Sequence, residues 1–229
     1  MGADAQQARG RFSRFLGVFG VIVLVLFIIA VVVGVFALVV RGRQARRGAA
    51  PGALHLTGPD PSARISDIGT YRLRVYGKVG KELSLTYADV QALPAVQTDA
   101  PLACVVGWED HAVWRGARIR DVIAAAQPTP EAEFLVFHDD RDFSASLSMD
   151  YVESGTPLLA YEVDGKPLPR EHGWPLRVVA PDKWGYKWVK WVTGIELQGR
   201  GYEGTYESEG FSLDGDLSGP KLESGKHGK

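Results

Sequence analysis

The chain has 229 residues, 45% of them hydrophobic and 23% charged, which suits a folded domain with added segments and excludes a disordered polymer. A formal net charge of -1 removes the broad electrostatic case for nucleic acid, which needs a concentrated basic excess. One cysteine excludes an intramolecular disulfide, so packing alone must hold the fold.

Residues 1–14 read as a short tail, followed from Phe15 to Val40 by FLGVFGVIVLVLFIIAVVVGVFALVV. This uncharged run exceeds the ~20 residues a helix needs to cross hydrocarbon and predicts one transmembrane helix. A cleaved signal would carry a shorter apolar stretch and a small-residue cleavage site. Arg9, Arg11 and Arg14 precede the span and Arg41, Arg43, Arg46 and Arg47 follow it, so charge hardly decides its orientation. By count alone, the excess after the span would place the domain in the cytoplasm. Residues 41–66, rich in Arg, Gly, Ala and Pro, read as a linker holding the domain off the membrane.

Residues 67–211 form one domain without internal repeats. YRLRVYGKV alternates like a half-buried strand, with a turn at Gly80 before Leu83 and Leu85. Thr86 is an N-cap for the short helix TYADVQALP, with Asp89 in the capping-box position and Pro94 as the stop. PLACVVGW reads as a strand, Ile119 to Ala126 as a helix, and FLVFHD and SASLSM as strands around a turn at Asp139 to Asp142. LLAYEVDGKPL is a hairpin turning at Asp164-Gly165, and PLRVVAP and KWVTGIELQG are further strands. The expected class is α+β, with antiparallel or mixed sheet. Residues 212–229 read as a mobile tail carrying no chemistry.

Taken by themselves, the chemical signals stay open. Cys104 in an apolar strand reads by itself more readily as an inert small hydrophobe than as a ligand or nucleophile. No nearby residue has zinc-ligand spacing and no haem-attachment motif occurs. A Cys nucleophile with His111 or His172 as base stays open, with nothing in the spacing to favour it. Arg177, Lys183, Lys187 and Lys190 are interleaved with Gly173, Gly185, Trp184, Tyr186, Trp188 and Trp191. Such a stretch can hold a phosphate beside a flat ring system, or be a solvated basic strand over core aromatics. A patch so short on a near-neutral chain argues against single-stranded nucleic acid.

Two ordered motifs carry a resemblance. LACVVGWEDHAVWRGARIRDVI is similar to a metal-binding Cys followed by Gly-Trp, Trp-x-Gly and a short helix. LLAYEVDGKPLPREHGWPLRVVAPDKWGYKWVKWVTGIEL is similar to a Gly-x-Pro-Leu-Pro, His-Gly-x-Pro-x-Arg and Gly-Tyr-Lys-x-x-Lys-Trp series. Together, over Tyr71 to Phe211, they resemble the sulfite oxidase-like molybdopterin-binding domain of sulfite oxidases, plant-type nitrate reductases and bacterial protein-methionine-sulfoxide reductases. The resemblance implies a strand-rich fold and a molybdenum-molybdopterin cofactor. It makes Cys104 the thiolate ligand of the metal, and places His172, Arg177, Gly185, Tyr186, Lys187 and, as a further member, Lys190 around the pterin and its phosphate. Trp108 and Trp114 would shape the wall or the core. His111 is a candidate proton donor at the metal mouth, beside its plainer reading as a surface-loop histidine.

Departures blur the substrate. Where sulfite oxidases carry a Tyr near the metal, the segment DFSASLSM offers Phe143, which cannot donate a hydrogen bond. Glu109 and Asp110 stand where basic residues would follow the Cys, and acids at that mouth would repel sulfite. The Cys104–Trp108 spacing is closer to the sulfoxide-reductase branch, although Val106 lacks the acid expected there. The implied activity is oxygen-atom transfer on a small-molecule or sulfoxide substrate, with electrons exchanged with a membrane cytochrome or quinone-linked partner. The alternative is a non-catalytic membrane-tethered binding domain that keeps the fold. The resemblance places the domain on the extracytoplasmic side, although no adjacent Arg pair precedes the span.

Overall fold

Thr86 and Asp89 show how local chemistry sets the elements. The Thr86 side chain accepts from the Asp89 N–H, and the Asp89 carboxylate accepts from the Thr86 N–H, closing the predicted capping box around helix α1, Tyr87–Gln91. A computed structural model describes Leu54, His55, Ile65 and residues 67–222. No helix among these is long and apolar enough to cross a membrane, and the predicted span 15–40 lies outside the described residues.

Two five-stranded sheets build the domain. The first contains β1 (Leu73–Gly77), β2 (Leu83–Leu85), β5 (Phe134–His138), β6 (Ser144–Ser148) and β10 (Gly194–Gln198), in the order β2-β1-β10-β5-β6. β1 and β10 pair in parallel and the other pairs are antiparallel, so this sheet is mixed. In β1, Leu73 and Val75 are buried on either side of exposed Arg74, which is the alternation of a half-buried strand. The second sheet is antiparallel: β3 (Ala95–Ala103), β4 (Glu109–Arg118), β7 (Leu158–Val163) and β8 (Lys166–Pro167), with β9 (Arg177–Val179) also pairing β7. Helices α2 (Ile119–Ala124) and α3 (Met149–Glu153) are short. Leu73, Leu135, Ile195, Trp114, Leu159 and Val178, drawn from both sheets, belong to one continuous apolar core. The strand-rich, mixed α+β expectation holds for the described residues.

Three readings need correction. PLACVVGW is not one strand: β3 ends at Ala103, and Cys104 to Gly107 turns the chain into β4. The Cys104 N–H donates to the Trp108 carbonyl at 2.9 Å, and the Gly107 N–H to the Cys104 carbonyl at 3.0 Å. The reason is Gly107 at φ 105, a conformation open to glycine, which lets the apolar run reverse. The tail read from Ser212 is packed as far as Leu222: Ser212 is buried, Asp216 pairs with Lys183, and Phe211 bridges Leu222. The linker read over 41–66 also reaches the domain, because Leu54 is buried in the core and His55 binds Asp110.

Candidate active site

The tip between β3 and β4 sets the half-buried Cys104 at the rim of a cavity of about 420 Å³. The β5–β6 turn, β9 with the strand-poor stretch after it, and the segment Thr205–Tyr206 supply the other walls. Asp139 fixes the first of these, since its Oδ1 accepts from the N–H groups of Arg141 and Phe143 at 2.8 and 2.9 Å. Cys104, Arg177, Gly185, Tyr186 and Lys190 all line this cavity, so residues far apart in sequence meet as expected.

Arg177 is the electrostatic centre. Its guanidinium is buried, lies 4.9 Å over the Trp114 ring and 5.8 Å over Trp188, and donates to the His172 carbonyl at 3.1 Å. Burial draws its pKa down to about 9, which leaves it cationic at neutral pH. Lys190 donates to the Glu171 carbonyl at 3.1 Å and lies 4.6 Å over Trp191. Gly173, at φ 110, brings the two cations together: a Cβ there would meet the Cβ atoms of Arg177 and Lys190 at 3.0 Å each. At Gly185 a Cβ would press at 3.1 Å on the Ala103 carbonyl, so glycine allows the close approach beside Cys104.

His172 is buried but does not line the cavity. Burial, then the Arg177 and Lys190 charges, push its imidazole down to about 4, well below the usual ~6.5. Unfolding between those values takes up a proton that the folded chain refuses. Stability of the cofactor-free chain therefore falls as pH drops through that window, by up to about 1.4 kcal/mol per unit. His172→Gln should flatten this part of a denaturation profile, and a mutant curve parallel to wild type would refute the assignment.

Lys187 sits elsewhere. It is fully buried, outside the cavity lining, and its ammonium donates to Glu207 Oε1 at 2.5 Å, the Leu213 carbonyl at 2.5 Å and the Ser146 carbonyl at 3.1 Å. The cradle role read for Lys187 is therefore withdrawn, because its three donors are spent inside the protein. Lys190, the further member of that set, is the lysine at the cavity. His111 also moves out of the site: its ring pairs with Glu109 at 2.8 Å on the exposed side of β4, so it does not stand at the cavity as a proton donor. Glu109 is exposed and Asp110 buried under His55, so neither acid lines the cavity, whereas Asp139, Arg141 and Asp142 do. Trp114 is core, while Trp108 lines the cavity and stacks on His55 with centroids 4.5 Å apart.

The sequence reading missed Thr205 and Tyr206. Tyr206 stacks on Tyr186 at 5.5 Å and meets Phe143 edge-on at 6.1 Å. Burial first, then nearby Cys104, push its phenol above the ordinary tyrosine range. The only signal was the aromatic run through Phe211, which hydropathy alone does not attach to a site.

No group of three or more His, Cys, Asp or Glu positioned for a metal occurs among the described residues. A single thiol beside the buried Arg177 and the half-buried Lys190 instead suits a metal carried by its own anionic organic chelate. One buried polar atom of a lining residue fits such a guest, since Arg177 Nε has no hydrogen-bond partner among the described residues. A family model described as the oxidoreductase molybdopterin binding domain matches residues 58–206. The chain belongs to the molybdopterin-binding oxidoreductase family. It is 35% identical over 152 residues to the uncharacterized oxidoreductase YuiH of Bacillus subtilis, covering 66% of this chain and 76% of that one. It is 34% identical over 164 residues to human mitochondrial sulfite oxidase, covering 58% of this chain but 30% of that one. The sulfane dehydrogenase SoxCD structure from Paracoccus pantotrophus shares the fold with a TM-score of 0.62 at 24% identity, over 72% of this chain and 51% of that chain. The protein is thus a molybdopterin-dependent oxidoreductase of the sulfite oxidase family, and its domain implies a molybdenum cofactor.

Proposed function

We propose that this protein is a membrane-anchored enzyme that exchanges an oxygen atom with a small sulfoxide- or sulfite-like substrate. The observation that carries the reading is the meeting of Cys104 with Arg177, Gly185, Tyr186 and Lys190 around one cavity. Cys104 supplies the soft thiolate for the metal. Arg177 and Lys190 bring positive charge to the pterin phosphate, Gly185 and Tyr186 line the wall beside it, and His172, behind that lining, holds Arg177 through its carbonyl. When bound, the molybdenum–pterin group supplies two-electron oxygen-atom exchange, which side chains alone cannot perform. The protein's part is to hold that group, orient the substrate and enclose both in apolar walls.

The run 15–40 is proposed as the anchor and 41–66 as the spacer, with the catalytic domain outside the cytoplasm. Electrons would pass to or from a cytochrome or quinone-linked membrane protein. Confinement to the same membrane raises the effective concentration of such a carrier. The full chain purified from a host that makes the pterin cofactor should contain stoichiometric molybdenum and turn over dimethyl sulfoxide or sulfite with an artificial electron carrier. Protein that holds no molybdenum, or turns over neither compound, would overturn the reading.

A further inference from the structure

Resting on that reading, we propose that Tyr206 reads the oxygen of a neutral sulfoxide beside Cys104. Tyr206 lines the same cavity as Cys104. The Tyr186 hydroxyl donates to the Ser212 carbonyl at 2.6 Å, whereas none of the hydrogen bonds among the described residues uses the Tyr206 hydroxyl. Tyr206 therefore brings an uncommitted neutral donor to a cavity whose neighbouring walls are Leu102, Phe143, Trp188 and Trp191.

Its position is fixed from several sides. The ring stacks on Tyr186 with 13° between planes and meets Phe143 and Phe211 edge-on at 6.1 and 5.2 Å. The next residue, Glu207, is buried and bound to Lys187, which also holds the Leu213 carbonyl. The buried cation so tethers the segment that presents the phenol, and the hydroxyl is placed before any substrate arrives.

Charge selects the substrate class. On that reading the charges of Arg177 and Lys190 are already matched by the pterin phosphate. Asp139, Asp142 and Arg141 face the same cavity, which leaves one carboxylate in excess once Arg177 and Lys190 are matched by the phosphate. A neutral S=O group, whose oxygen accepts one hydrogen bond and whose alkyl arms meet aromatic walls, suits this better than an anion, which the excess carboxylate opposes.

The test compares Tyr206→Phe with wild-type holoenzyme, using dimethyl sulfoxide as the substrate probe and dimethyl sulfide, which lacks the oxygen, as a competitive inhibitor. Loss of one neutral hydrogen bond should raise KM for the sulfoxide roughly threefold to tenfold. The inhibition constant of the sulfide, the molybdenum content and the Tm should stay at wild-type values. An unchanged KM, or equal weakening of sulfoxide and sulfide, would overturn the role of Tyr206. A wild-type holoenzyme that oxidises sulfite but does not reduce dimethyl sulfoxide would overturn the sulfoxide assignment, while the oxidoreductase reading stands.

Discussion

Cys104→Ser is expected to lower turnover by more than about a hundredfold while leaving the folded chain intact. Even groups that only orient a metal ligand cost 10–100-fold when removed, so loss of the ligand itself should exceed that range. Serine keeps the size of the side chain but offers a hard oxygen in place of a polarizable thiolate. Stability should change little, since Cys104 is half-buried at a hairpin tip and the two bonds that close the turn are made by its backbone. Turnover and thermal unfolding measured on the same preparation separate these effects. A Cys104→Ser protein with wild-type turnover would show a reaction that does not use the thiol.

Lys187→Met is expected to act oppositely, destabilising the fold by about 3–5 kcal/mol because it strands a buried carboxylate. Glu207 is 1% exposed and its Oε2 already has no partner among the described residues, so the loss of Lys187 leaves the charge uncompensated. For a chain of this size the Tm should fall by roughly 6–20 °C. Adding Glu207→Met should restore much of the loss, since replacing both members of a buried pair is far milder than removing one. Recovery should stop short of wild type because the Ser146 and Leu213 carbonyls lose their donor. Thermal melts of the cofactor-free forms of both variants check this. If Lys187 gripped the cofactor instead, its single variant would lose molybdenum while melting like the wild-type apoprotein.

The contrast between Lys187 and Lys190 shows what could be read from sequence. In WGYKWVKW both lysines sit among the same aromatic residues, and no local rule distinguishes them. Only the Glu207 carboxylate, brought in by a later segment, decides which one is buried. Where local chemistry dominates, the reading held: the capping box at Thr86, the Asp139–Asp142 turn, and the hairpin at Asp164 (φ 48) and Gly165 (φ 74) are all present. β4 escaped notice although its burial alternates, because its inward positions are Asp110, Ala112, Trp114 and Gly116 rather than branched apolar residues. Residues 212–222 were misread for a related reason. Polar contacts hold them, including Asp216 with Lys183 and Lys221 donating to the Val105 carbonyl, and hydropathy does not register these. The pairing of Cys104 with Arg177 was visible through the two family motifs, whereas Tyr206, outside both, was not.

X-ray absorption at the molybdenum edge of the purified full chain, compared with Cys104→Ser, tests the central claim most directly. The wild-type metal should show one sulfur neighbour that the serine variant lacks. Identical sulfur shells in two proteins that both retain molybdenum would contradict it, because the thiol would then not be a ligand.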